Sequence, residues 1–155
     1  MTNHVPGANC TSPEHHQFDF WIGDWEVRDR NGEIAGHNSI SRTVGGCALL
    51  ERWRGREGLV GMSINAWSTE RKVWHQTWVD SAGTLLLLEG GLRDGVMVLE
   101  GTTVDPEAIG GLLRHRISWS VTNGTSDRLR QHWETCRDGK QWESAFDGAY
   151  TRITS

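Results

Sequence analysis

The feature that most constrains this chain is a long series of short stretches in which apolar and polar residues alternate, each closed by glycine or by an Asn-Gly or Asp-Gly pair. Alternation with a period of two is the pattern of a strand with one face buried. After Gly23, residues Trp25, Val27 and Asp29 alternate with Glu26, Arg28 and Arg30 as far as Asn31-Gly32, a strong hairpin signal. Strand-like segments follow at about 33–43, 47–54, 59–67, 71–80, 84–90, 95–102, 112–121, 128–136 and 141–153. The separators include Gly45-Gly46, Gly55, Gly90-Gly91, Asp94-Gly95, Gly110-Gly111, Asn123-Gly124 and Asp138-Gly139. No helical pattern of useful length follows residue 23. Together these predict about ten strands, antiparallel because their connections are short.

A meander of that length must dispose of its edges, and only closure into a barrel removes them altogether. The expected fold is therefore all-β: an antiparallel up-and-down β-barrel with a short N-terminal helix. A barrel of roughly eight to ten strands is wide enough to hold one small ligand. The helix is predicted over about 13–21. Ser12 suits the cap, Pro13 the first position and Glu14 the first turn, while Phe18, Trp21 and Ile22 share one face before Gly23 ends it. Residues 1–11 are polar and read as a flexible segment, leaving 12–155 as the barrel domain.

Composition narrows the function classes. The chain of 155 residues is one domain's worth and can build a core without staples. Its net charge of −4, with no block of Lys or Arg, argues against nucleic-acid and membrane-surface partners. The longest apolar runs, Leu85 to Leu88 among them, are far short of a membrane span. The N-terminus has neither the charged nor the apolar region of a secretory leader. Cys10, Cys47 and Cys136 are odd in number, far apart and outside any C-x-x-C arrangement, so neither a disulfide framework nor a zinc site is expected. Reduced thiols and a cytoplasmic location fit this pattern. A homodimer formed through an outer face of the barrel stays open.

Residues 18–27 read Phe-Asp-Phe-Trp-Ile-Gly-Asp-Trp-Glu-Val. A short N-terminal helix running into Gly23-Asp24-Trp25 resembles the calycin superfamily of lipocalins, fatty-acid-binding proteins and nitrobindin-like barrels. With Trp74-His75-Gln76-Thr77-Trp78-Val79-Asp80 and Phe146-Asp147-Gly148-Ala149-Tyr150, the FDFWIGDW string is similar to a bacterial group of calycin-like proteins. The resemblance implies that Trp25 closes the barrel base with Arg152 of the last strand packed across it. It also implies an interior ligand, and through the nitrobindin-like members it admits haem.

The parity of the strands assigns the lumen. In 112–121, Leu113, His115, Ile117 and Trp119 share one face; in 128–136, Leu129, Gln131 and Trp133 do. Segment 71–80 is less clean: Trp74, Gln76, Trp78 and Asp80 share one face, Val73, His75, Thr77 and Val79 the other, and alternation alone does not choose between them. Placing the first set inward makes Trp74, Trp78, Trp119 and Trp133, with Gln76 and Gln131, the ligand-binding candidates. Plain core packing is the competing reading of each Trp, but a fully packed core favours Leu, Ile and Val, which carry no polar atoms. For Gln76, Gln131 and His115, satisfying the indole N–H groups or each other ranks slightly ahead of contacting a ligand.

Asp80 and His115 are the candidates for moving a proton. Asp80 fits better as a strand-end carboxylate bonding the Ser81-Ala82-Gly83 turn. Glu51, Glu89 and Glu100 read as solvated or turn-facing charges. No two histidines have the spacing of metal ligands on one face, so no metal is expected, although one His (His75 or His115) suffices as an axial haem ligand. No cofactor motif is present: neither a phosphate-binding loop nor a dinucleotide fingerprint nor a G-x-S-x-G elbow. Three functions remain. The first is binding of a small, mostly apolar or aromatic metabolite. The second is a cofactor-independent cyclase, isomerase or lyase acting on a hydrophobic biosynthetic intermediate in the same cavity. Haem binding ranks third.

Overall fold

The computed structural model describes residues 10–154. Ten strands are present: β1 (Gly23–Arg28), β2 (Ile34–Thr43), β3 (Ala48–Gly55), β4 (Val60–Ser68), β5 (Val73–Asp80), β6 (Leu85–Arg93), β7 (Val96–Val104), β8 (Leu112–Val121), β9 (Arg128–Cys136) and β10 (Trp142–Arg152). Each pairs antiparallel with its sequence neighbours, and β1 pairs with β10, so the sheet is a closed up-and-down barrel. The expected architecture is thus the observed one. Most of residues 1–11, read as a flexible segment, lie outside the described residues.

A short N-terminal helical segment is present as expected, but its extent and type differ. In place of one helix over 13–21 there are two 3-10 turns, Pro13–His16 and Asp19–Trp21. A helix so short is marginal in water, and the tertiary docking of its aromatics decides its shape. Phe18 and Trp21 are fully buried, stacked with ring centroids 4.7 Å apart. Phe18 meets Trp119 at 5.1 Å and Trp74 at 5.6 Å, so the segment plugs one end of the barrel. On the rim of that end, the Arg152 guanidinium lies 4.3 Å over the Trp25 ring and donates from Nη1 to the Ile22 carbonyl at 2.8 Å, the pairing that the calycin resemblance implies.

The cysteine expectation is also corrected. Cys10 and Cys47 form a disulfide, with Cα atoms 5.1 Å apart, while Cys136 is free and buried. Spacing in sequence concealed the pair. Cys47 follows the β2–β3 turn, which the barrel places at the plugged end, where the N-terminal segment arrives. An ion pair between Arg42 and Asp19 fastens the same two elements.

Eleven glycines among the described residues have positive φ, most of them in turns, and a few on the strands make room for tryptophan rings. Two rings lie against glycines of the neighbouring strand, where a side chain would collide. A Cβ on Gly61 of β4 would sit 2.2 Å from the Trp78 ring of β5, and one on Gly36 of β2 would sit 2.7 Å from the Trp53 ring of β3. Small residues on the wall make room for large ones in the lumen.

Candidate functional site

The up-and-down order puts the β1–β2, β3–β4, β5–β6, β7–β8 and β9–β10 turns at the end opposite the plug. There the lumen stays open as a cavity of about 260 Å³. Trp53, Trp78, Trp133 and Phe146 wall it, with Leu59, Leu86 and Ile117 between them. Gln76, Gln131, Glu51 and Tyr150 supply its polar lining, and Asp80 stands at the rim.

One hydrogen-bond network crosses six strands beneath the rings. Tyr150 Oη donates to Gln131 Oε1 and accepts from Asn38 Nδ2 at 2.9 Å. Asn38 Nδ2 also donates to Glu51 Oε2 at 2.8 Å, and Ser63 Oγ donates to Glu51 Oε1 at 2.6 Å. Ser63 accepts from Asn65 Nδ2 at 2.8 Å, and Asn65 Oδ1 accepts from Gln76 Nε2 at 2.8 Å. Two glutamine groups are unspent: neither Gln76 Oε1 nor Gln131 Nε2 has a hydrogen-bond partner among the described residues. Gln76 is 2% exposed, so its carbonyl depends on something inside the lumen.

Glu51 corrects a sequence reading. It is not a solvated charge but is 4% exposed, on the inner face with Leu49 and Trp53. Burial pushes its carboxyl above the usual range, against the pull of the Ser63 and Asn38 hydrogen bonds. Burial and the nearby Glu51 charge likewise raise the Tyr150 phenol well above its ordinary value.

The eight sequence candidates divide by depth. Gln76, Trp78, Asp80, Gln131 and Trp133 line the cavity, which settles the lumen face of β5. Trp74 and Trp119 belong to the plugged end, against Phe18. His115 is buried in the wall: its Nδ1 accepts from Trp133 Nε1 at 3.1 Å, and its Nε2 meets Thr103 Oγ1 at 2.8 Å. Asp80 Oδ1 accepts from the Ala82 and Thr84 amides, and Oδ2 from Trp78 Nε1 at 3.0 Å. Partial burial opposes ionisation of Asp80, but these donors outweigh it and hold the carboxyl below its usual value. It is the turn-bonding strand end that its position suggests. His75 faces outward, bonded to Thr77 Oγ1.

Sequence reading missed Glu51, Trp53, Phe146 and Tyr150. The parity of 47–54 places Leu49, Glu51 and Trp53 together, and a glutamate between two apolar neighbours of one face was the available signal. Phe146, Gly148 and Tyr150 alternate in step, which was the available signal; a register shift between Ser144 and Phe146 separates them from Trp142, which has the same parity in sequence but lies on the outer wall.

A larger groove, about 890 Å³, runs over the outer wall of β1–β5. Outward-facing Asp24, His37, Arg52, Arg54, Met62 and Val79 contribute to it. It is more open than the lumen cavity, and its lining mixes charged, polar and apolar side chains. Comparison with models of protein families and with curated proteins returns no match.

Proposed function

We propose that this chain is a calycin-like barrel that binds one small, mostly apolar, ring-bearing molecule in the open half of its lumen. The observation that carries this reading is the pairing of an aromatic enclosure with unspent polar groups at its inner end. A cavity of about 260 Å³ walled by three indoles and a phenyl group suits a ligand of one or two rings. The Gln76 carbonyl and the Gln131 amide offer one acceptor and one donor to its polar end.

Neither of the two residues expected to move a proton is free to do so. Both Asp80 oxygens are committed to the turn and to Trp78, and both His115 ring nitrogens to neighbours. Neither residue presents a free base to the cavity. The same commitment of His115, with the outward direction of His75, speaks against axial haem ligation.

Tryptophan fluorescence during titration with one- and two-ring aromatic compounds tests the proposal. A saturable change with one site per chain is the expected result. No change with any compound, together with a ligand-free crystal structure in which side chains fill the cavity, overturns it.

A further inference from the structure

Among its lining residues the cavity has two carboxyl groups, Glu51 and Asp80, and no Lys, Arg or His. Asp80 is at the rim and served by the turn. Glu51 is at depth, and none of the ion pairs among the described residues includes it. Its hydrogen bonds all come from neutral groups that donate toward it. The Ser63 hydroxyl accepts from Asn65, which leaves its own proton for Glu51, and the Asn38 amide adds a second donor. The surrounding network is therefore arranged for an acceptor at position 51.

A buried carboxylate without a counter-charge is costly. Gln, of the same shape, would remove the charge but would set its amide against one of the Ser63 and Asn38 donors, so the position calls for two acceptor oxygens. Each carboxylate oxygen has two acceptor sites, so both retain capacity after Asn38 and Ser63 are bonded. Around this acid stand Trp53, Trp78, Trp133 and Phe146. Aromatic faces carry negative potential and attract cations, most strongly when water is excluded. Carboxyl group and rings thus favour the same sign of ligand and disfavour an anion.

We propose that the lumen ligand is a small arylalkyl amine, held as its ammonium ion on Glu51 with its ring against the tryptophan wall. This assignment rests on the lumen being the binding site, and it names the chemical class that the site selects. The amine supplies the positive charge that the fold withholds from Glu51, while the ring occupies the apolar volume nearer the mouth. The Gln76 carbonyl offers a second acceptor for an ammonium proton.

Isothermal titration at neutral pH with three compounds of one shape separates the cases: 2-phenylethylamine, 2-phenylethanol and phenylacetate. The amine binds at least about tenfold more tightly than the alcohol, a difference of about 1.4 kcal/mol, and phenylacetate binds most weakly. E51Q brings amine and alcohol to the same affinity. Equal or tighter binding of the alcohol by the unsubstituted protein overturns the amine assignment and leaves the lumen reading intact. A preference for the amine that survives in folded E51Q also overturns it, because the selectivity then arises elsewhere. Failure of all three compounds to bind at millimolar concentration overturns this assignment and counts against the lumen reading as well.

Discussion

The Trp133 indole N–H donates to Nδ1 of His115 at 3.1 Å, and this contact fixes which histidine nitrogen carries the proton. Indole is a donor only, so Nδ1 is the acceptor and Nε2 carries the hydrogen that faces Thr103 Oγ1. A protonated ring would turn Nδ1 into a donor aimed at another donor. Burial also pushes the His115 pKa below its ordinary value. The unfolded chain takes up a proton near its usual value of about 6.5 while the folded chain resists it. The unfolded state therefore binds more protons in that window, and stability falls as pH drops from about 6.5 toward the folded pKa. Urea unfolding across this range should show the stability gap between the native protein and His115→Gln narrowing as pH falls. Parallel curves would refute the assignment.

Glu51 has the opposite sign. Its folded carboxyl is raised, so the folded chain keeps a proton that the unfolded chain loses near 4.5. Stability is lost as pH rises from there through the folded pKa. Glu51→Gln removes this loss. The variant should match the native protein at acid pH. At alkaline pH it should exceed it by on the order of 1–3 kcal/mol in denaturant unfolding. A variant less stable at every pH would show that the carboxyl group supports the fold.

Gly61 should tolerate no side chain. Gly61→Val drives carbon atoms into the Trp78 ring, and overpacking of this kind costs about 1–3 kcal/mol. The displaced ring should also shift the tryptophan emission and weaken lumen binding. Gly91 on β6 has open space around a Cβ position, so Gly91→Ala should leave unfolding and emission close to native. Equal effects at the two sites would contradict the packing of rings over glycines.

The Cys10–Cys47 bond joins residues separated by 37 positions in sequence. Loops of this size confer about 2–4 kcal/mol when cross-linked. Reductant should lower the urea midpoint of the native protein and have no effect on a Cys10→Ser, Cys47→Ser double variant. A native midpoint indifferent to reductant would contradict the bond.

The barrel was legible because its cause is local. Most strands carry their own alternation and most turns their own glycine, so the strand order is readable from local signals, and the need to remove edges points to closure. The lumen faces of β8 and β9 were legible for the same reason. The site was legible only in part. Trp74 and Trp119 share parity with Trp78 and Trp133, and parity carries no information about depth along the barrel axis. The N-terminal plug decides which rings are core and which line space, and its docking is a tertiary contact. Glu51 shows the converse: its charge suggests solvent, but its neighbours Leu49 and Trp53 fix its direction. The Cys10–Cys47 pair depends wholly on where the plug meets the β2–β3 turn.

The most direct test of the central claim uses the indole N–H signals of the nine tryptophans in a ¹H–¹⁵N correlation spectrum. Addition of 2-phenylethanol or 2-phenylethylamine should move the signals of Trp53, Trp78 and Trp133, which line the open lumen. Those of Trp21, in the plug, of Trp119, sealed behind it, and of Trp142, on the outer wall beneath Arg116, should stay in place. Binding that moves Trp142 while the three mouth-side indoles remain unchanged would place the ligand outside the barrel and contradict the account.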